Sequence, residues 1–434
     1  MKFKGWVFVL LSLFVSSGIA VAGGQSEHGA KSSGPVNLVF EQSDPPNQVT
    51  GLLAEISAYN KKQSAIHVTV DTVPWNNALN QFIREGQAGG GPDVIQLAFV
   101  WTKDLASSGL IDNLGPFIKQ SKPGNGISDF LGTDLGIYKG AVYGIPWTVD
   151  TFAMAYRPDL FKKAGITSFP DTWQQFFNVA KKLTVVSSSG TTTQYGFGFP
   201  AGSGAAGGMW FLVNYYLWDH GWSFVKQGSN GKWELGVTAQ EVADTMSYFN
   251  QFFTQGVTPK SLISVDSWAD PELVGGLGRG EFAISFFPPE TFVPAEKQSK
   301  FPLMSAMDPK GPDGRFSHLG GRALAINAAT KHPQQSWAFL NFLLSPQIFA
   351  PYHQFPAQKM LLKELKFPAP EEGYAQQLPH AITFAQYINS PVPVSAMWAA
   401  TNEAFGAVYS GQKTPRQSAK DLLDKIRGYL NGKQ

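Results

Sequence analysis

The chain has no cysteine in its 434 residues. That absence excludes disulfide bridges, thiolate chemistry and cysteine-held metals or clusters. It also excludes a diacylglyceryl lipid anchor, which is built on a cysteine at the mature N-terminus. Charge is scarce too. Asp, Glu, Lys and Arg make up 15% of the residues, against roughly 25% in an average domain. The 34 basic and 32 acidic residues leave a formal net charge of +2, with no concentrated basic block. Neither nucleic acid nor an anionic membrane surface is indicated as a partner. The seven histidines, among them His28, His67, His220 and His318, show no i,i+4 pairing and no HExxH, so no metal site is expected. No GxSxG and no Walker-type glycine loop occurs, and no cofactor is expected.

Only one stretch approaches membrane length, and it opens the chain. Lys2 and Lys4 form a basic region, residues 6–15 an apolar one, and Ala20-Val21-Ala22 fits the small-x-small cleavage rule. Residues 1–22 are expected to be a cleavable signal peptide and residues 23–35 a disordered, Gly/Ser-rich lead-in. A retained anchor is the alternative, but Ser16, Ser17 and Gly18 interrupt a run that is marginal against the about 20 residues needed to span. The length exceeds what one core comfortably supports, so two lobes of roughly 150–200 residues each are expected.

Along the chain, residues 36–40, 67–73 and 93–97 have strand patterns, and residues 48–63 and 77–85 have helical ones. Such alternation predicts an α/β lobe with a largely parallel sheet. Further on, residues 173–183 repeat the helical period behind Asp171 or Thr172 as cap. Residues 209–218 form an aromatic helix, 282–287 and 323–326 read as strands, and 334–344 and 415–430 as amphipathic helices. A literal GxGxxG at Gly202, Gly204 and Gly207 lacks the direct strand-to-helix junction of a dinucleotide site and reads as a plain loop.

Aromatics are plentiful: 12 Trp, 13 Tyr and 33 Phe. Trp147 and Asp150 lie together in a Gly/Pro-kinked segment. A rigid indole face beside a carboxylate suits a sugar ring, whose C–H face stacks while its hydroxyls need fixed acceptors. Such a pair equally fits a core tryptophan near a turn. Trp101, Trp147 and Trp398 all fall at predicted strand ends or in loops, beside Asp104, Asp150 and Asn402. Two carboxylates such as Asp104 and Asp150 could also serve a glycosidase on paper. Nothing else points to hydrolysis, and no enzyme is expected.

The chain resembles the extracellular solute-binding proteins of ABC sugar importers, the family of maltose- and trehalose-binding proteins. The resemblance rests on Gly91-Pro92-Asp93-Val94 with Trp101 and Leu105-Ala106-Ser107-Ser108-Gly109-Leu110, and on Tyr143-Gly144-Ile145-Pro146-Trp147 continuing to Asp159-Leu160-Phe161. It extends through Pro170-Asp171-Thr172-Trp173, Gly280-Glu281-Phe282, Gly320-Gly321 and Trp337-Ala338-Phe339-Leu340 to Ser395-Ala396-Met397-Trp398. It implies a periplasmic-binding-protein type II-like fold: two discontinuous α/β lobes joined by a hinge, with the ligand cleft between them. Lobe 1 would comprise 36–149 plus 319–351, and lobe 2 would comprise 150–318 plus 352–434. Chain crossings are expected near 147–150, 316–320 and 351–355.

The resemblance further implies polar ligand contacts from Glu41 to Asp44, an aromatic and a carboxylate from Trp101 and Asp104, and stacking by Trp398. Gly320 and Gly321 would lie against the ligand, with Arg322, Trp147 and Asp150 close by and Trp210 and Phe287 lining the second lobe. The implied function is capture of a di- or oligosaccharide, with an α-glucoside as one candidate, by a monomer that delivers it to the transmembrane subunits of an ABC permease. A polyamine or glycerol phosphate is the alternative ligand, and a secreted glycan-active enzyme the alternative of another class. Val21-Ala22-Gly23 is followed by Gly24, not by a lipobox cysteine, so the expected location is periplasmic or extracellular without a lipid anchor.

Overall fold

The computed structural model describes residues 34–432 except positions 45, 206 and 353. The expected signal peptide and most of the lead-in lie outside the described residues. The chain forms two lobes, each built on its own sheet.

The first sheet has six strands in the order Phe355–Pro356, Ile145–Asp150, Gly320–Ile326, Val94–Ala98, Val36–Gln42 and Ile66–Thr72. Helices Pro46–Lys62 and Trp75–Gln87 connect Val36–Gln42, Ile66–Thr72 and Val94–Ala98, which are mutually parallel. Its other half departs from the predicted parallel sheet. Gly320–Ile326 runs antiparallel to Val94–Ala98 on one side and to Ile145–Asp150 on the other. A βαβ crossover enforces a parallel return, whereas Gly320–Ile326 re-enters from the other lobe and carries no such constraint.

The second sheet orders Met304–Ala306, Ala153–Tyr156, Phe282–Phe287, Thr192–Gly198 and Val185–Val186. Phe282–Phe287 is buried along its whole length, parallel to Thr192–Gly198 and antiparallel to Ala153–Tyr156. Helix Trp173–Leu183 buries Trp173, Phe176, Phe177, Ala180 and Leu183 against this lobe. Its cap is Thr172, whose hydroxyl accepts from the Gln175 amide while the Gln175 side chain accepts from the Thr172 amide. Asp171 instead pairs with Lys310 and Arg315.

Thr151 and Phe152 carry the chain from the first sheet to the second, and Ser317–Gly320 carry it back. The third passage lies further along than residues 351–355. Phe355 and Pro356 still pair with Val149 and Thr148 of the first sheet. The chain reaches the second sheet with helix Glu372–Gln377, where Tyr374 donates to the Phe287 carbonyl and the Gln377 side chain accepts from the Asp308 amide. Ala381 and Ile382 then pair with Ser317 and His318, so two passages lie side by side.

The GxGxxG segment lies between Thr192–Gly198 and helix Met209–Asp219. The Gly204 amide donates to Asp266 Oδ1 at 2.7 Å, and a Cβ on Gly202 would meet that carboxylate at 2.2 Å. A carboxylate in that position repels a phosphate, and the glycines are required by its approach.

Candidate functional site

The two adjacent passages bring chemistry together at the ends of both sheets. Asp150 closes its strand opposite Gly320. Thr151 donates to the Ser317 hydroxyl at 2.8 Å, and the Tyr215 hydroxyl accepts from the Phe152 amide at 3.1 Å. The same hydroxyl lies 2.7 Å from His318 Nδ1, leaving His318 Nε2 facing Asp150 at 3.8 Å. Burial pushes the His318 imidazole down to about 3, so it is neutral near pH 7 and its contact with Asp150 is not an ion pair.

Arg322 is the centre of this junction. Its guanidinium contacts Asp44 Oδ1 at 3.0 Å and Asp150 Oδ2 at 3.1 Å. Burial opposes its charge, but Asp44 and Asp150 outweigh burial and hold it protonated. Asp44 is fully buried and saturated: Gln96 donates to its Oδ2 at 2.9 Å, and the Tyr352 hydroxyl donates to the same oxygen. It therefore orients Arg322 and has no oxygen turned to a ligand. Asp150 keeps partial exposure. Burial raises its carboxyl, Arg322 pulls it back, and Asp44 raises it again.

Glu290 approaches from the second lobe, in the first turn of helix Pro289–Gln298. Solvent reaches its side chain, yet protein crowds it, and that crowding with the charge of Asp150 lifts its carboxyl to about 7.

Aromatic rings flank the polar centre on both sides. On the first lobe, Trp75 and Trp101 lie with centroids 5.2 Å apart, and the Arg322 guanidinium sits 5.5 Å from the Trp75 ring. On the second lobe, Phe211 touches His318 at 4.5 Å and meets Trp398 edge-on at 5.2 Å. Trp268 joins Phe211 at 5.6 Å and Phe152 at 5.0 Å. Trp398 is half-buried, stacks on Trp210 at 5.9 Å, and donates through Nε1 to the Gly207 carbonyl at 2.8 Å. Its indole is thereby held rigid from behind. Asn402 supports the same loop, donating to the Gly204 and Gly207 carbonyls.

Of the residues singled out by sequence, Asp44, Asp150, Gly320, Gly321 and Arg322 converge at this junction, with Trp101 and Trp398 at the two ends of the aromatic arc. The others are placed differently. Trp147 is 0% exposed, stacks on Tyr352 at 5.1 Å, and donates to the Leu343 carbonyl at 2.8 Å. It is a core residue with no free face. Trp210 and Phe287 are equally enclosed, Trp210 serving as the backing of Trp398. Glu41 is 1% exposed and lies near Glu85 and Asp71, and burial lifts its carboxyl to about 7. Asp104 is exposed on the short helix Thr102–Ser107.

Gly320 and Gly321 are partly exposed, and the space a side chain would take at each is already filled by protein. A Cβ on Gly320 would meet Asp150 Oδ1 at 2.0 Å, and one on Gly321, whose φ is +141°, would meet the Thr148 carbonyl at 2.2 Å. Their missing side chains serve strand pairing. Trp75, Trp268, Phe211, His318, Glu290, Gln96 and Tyr352 were not anticipated. Trp75 follows a strand end directly, the same signal that marked Trp101. Glu290 follows the Pro288-Pro289 stop of a central strand. His318 and Tyr352 carry no local signal.

Residues 43–348 match a family model described as bacterial extracellular solute-binding protein. A maltooligosaccharide ABC transporter solute-binding lipoprotein of Streptococcus pneumoniae is 25% identical over 410 residues, covering 88% of this chain and 86% of that protein. A galactooligosaccharide-binding protein of Bacillus subtilis is 22% identical over 443 residues, covering 98% and 97%. The structure of a maltose-binding periplasmic protein of Listeria monocytogenes in complex with maltose superposes with a TM-score of 0.73 at 18% identity, covering 92% of this chain and 98% of that one.

Proposed function

The chain belongs to the bacterial extracellular solute-binding proteins, and from that premise we propose that it captures an oligosaccharide between its lobes for an ABC importer. The observation that carries this reading is the arc of partly exposed tryptophans, Trp75 and Trp101 on one lobe and Trp268 and Trp398 on the other, joined through Arg322, Asp150 and His318. Indole faces stack on sugar rings, while Arg322, Asp150 and Glu290 offer a donor and acceptors for hydroxyls. Such a set can supply micromolar affinity, about −8 kcal/mol. The maltooligosaccharide- and maltose-binding relatives favour an α-glucoside.

A ligand that bridges both lobes stabilises the closed arrangement by its differential affinity, and the permease recognises that arrangement. The protein acts as an exported monomer whose first lobe takes in 36–149 and 319–351 together with the Phe355–Pro356 edge strand. Titration calorimetry with maltotriose tests the reading. The expected result is saturable one-to-one binding that weakens at least tenfold in Trp398→Ala and Trp75→Ala. Failure of every neutral oligosaccharide to bind would overturn it.

A second reading has an observation of its own. Asp150 and Glu290 face a single arginine that Asp44 already engages, and an excess of carboxylates beside indoles also suits a polyamine. Spermidine binding that collapses at high salt and in Glu290→Gln would mark this outcome.

A further inference from the structure

Away from the cleft, a cavity of about 670 Å³ opens between helix Lys359–Glu364 and helix Glu372–Gln377. Small-molecule sites run about 300–1,000 Å³. Leu131, Leu362, Leu365 and Phe367 give it an apolar lining, and Phe367 is fixed by its ring contact with Phe355 at 4.6 Å. Lys359, Lys363 and Lys366 surround it, and Glu372 is the one acid among the lining residues. Lys359 donates to the Ser128 carbonyl at 3.0 Å. Among the described residues none of these lysines stands in an ion pair, in a chain where charge is scarce. Lysine stems extend an apolar lining while their ammonium groups reach the rim.

The two walls answer to different sheets. Helix Lys359–Glu364 packs on the Phe355–Pro356 edge of the first sheet, and helix Glu372–Gln377 on Met304–Ala306 and Ala153–Tyr156 of the second. The segment between them is the third chain passage.

We infer that this cavity binds an amphipathic anion, an alkyl chain ending in a carboxylate, and that its occupancy favours the lobe arrangement in which the cavity has this shape. The chain fills the Leu/Phe lining, and the carboxylate takes charge-assisted bonds from Lys363 and Lys366. A ligand touching both walls has different affinities for different lobe angles, which is the condition for shifting that equilibrium.

Calorimetry with sodium decanoate below its micellar concentration is the test, with decan-1-ol as the neutral control. One-to-one decanoate binding is expected, at least tenfold weaker in the exposed double variant Lys363→Glu/Lys366→Glu. No binding to the wild type, equal binding by the double variant, or equal binding of decanol would each overturn the site. The absence of native cysteine allows the linkage to be read separately, through spin labels on Lys119→Cys and Gln240→Cys. The interlobe distance distribution should narrow on saturation with decanoate; an unchanged distribution would overturn the linkage.

Discussion

Two tryptophans on different lobes show how differently one residue type can be used. Trp147 has its indole N–H on the Leu343 carbonyl and its face on Tyr352, whereas Trp398 is braced on one side and open on the other. Trp147→Phe should lower the unfolding free energy by about 1–3 kcal/mol, because a buried carbonyl loses its donor. Calorimetry on the folded fraction should find the ligand affinity unchanged. Asp150→Ala should do the reverse, weakening the ligand at least tenfold with a smaller loss of melting temperature, since Asp44 remains to pair with Arg322.

Two enclosed carboxyls have raised affinities for protons, Glu41 to about 7 and Asp219 to about 8, each chiefly through burial. Raised values mean that the folded state holds more protons than the unfolded chain between the ordinary carboxyl range and about pH 8. Stability should therefore fall as pH rises through that window. Asp159, Asp171 and Glu281, each held low by a hydrogen bond from a basic partner, act oppositely below pH 4, and His318, held down to about 3, opposes the trend up to the ordinary imidazole range without outweighing the two carboxyls. Thermal melts should show a higher midpoint near pH 5 than at pH 8, with a shallower decline in Glu41→Gln. A flat or rising profile would refute this.

At the scale of elements, local signals carried far. Thr172 with Gln175 and Thr414 with Gln417 form capping boxes, and the helices they open, Trp173–Leu183 and Pro415–Leu430, occupy the predicted limits. Strand Phe282–Phe287 is likewise where its apolar run and the following prolines place it. The pairing of Gly320 with Asp150 gives a sharper prediction. A methyl at Gly320 would lie 2.0 Å from Asp150 Oδ1, so Gly320→Ala must push that carboxylate off Arg322. The variant should fold with a lowered melting temperature and bind ligand at least tenfold more weakly. An unchanged dissociation constant would mean that Asp150 does not need this register.

For the whole molecule, the lobes are already bridged. Lys103 on the first lobe donates to Asn389 Oδ1 at 2.8 Å, and Thr383 donates to Asp134 at 2.9 Å. Both contacts involve exposed groups, each worth about 1 kcal/mol net, enough to bias an open–closed equilibrium but not to lock it. Lys103→Ala should speed ligand dissociation about threefold to tenfold in stopped-flow tryptophan fluorescence while leaving the melting temperature of the free protein in place.

The sequence by itself determined the opening α/β alternation, the helices near 173–183, 209–218, 334–344 and 415–430, and the strand at 282–287, because periodicity and caps are interactions between near neighbours in the chain. It also carried the identity of Arg322 and Asp150 as residues of interest. Only the tertiary structure decided which aromatic faces stay open, that Asp44 serves Arg322, and that Glu290, Trp75 and Trp268 belong with them. Those outcomes depend on partners brought together across the chain: Leu343 meets Trp147 from 196 positions away, and Arg322 reaches Asp44 across 278. Whether a tryptophan binds or packs is settled by what covers its second face, and no local pattern contains that information.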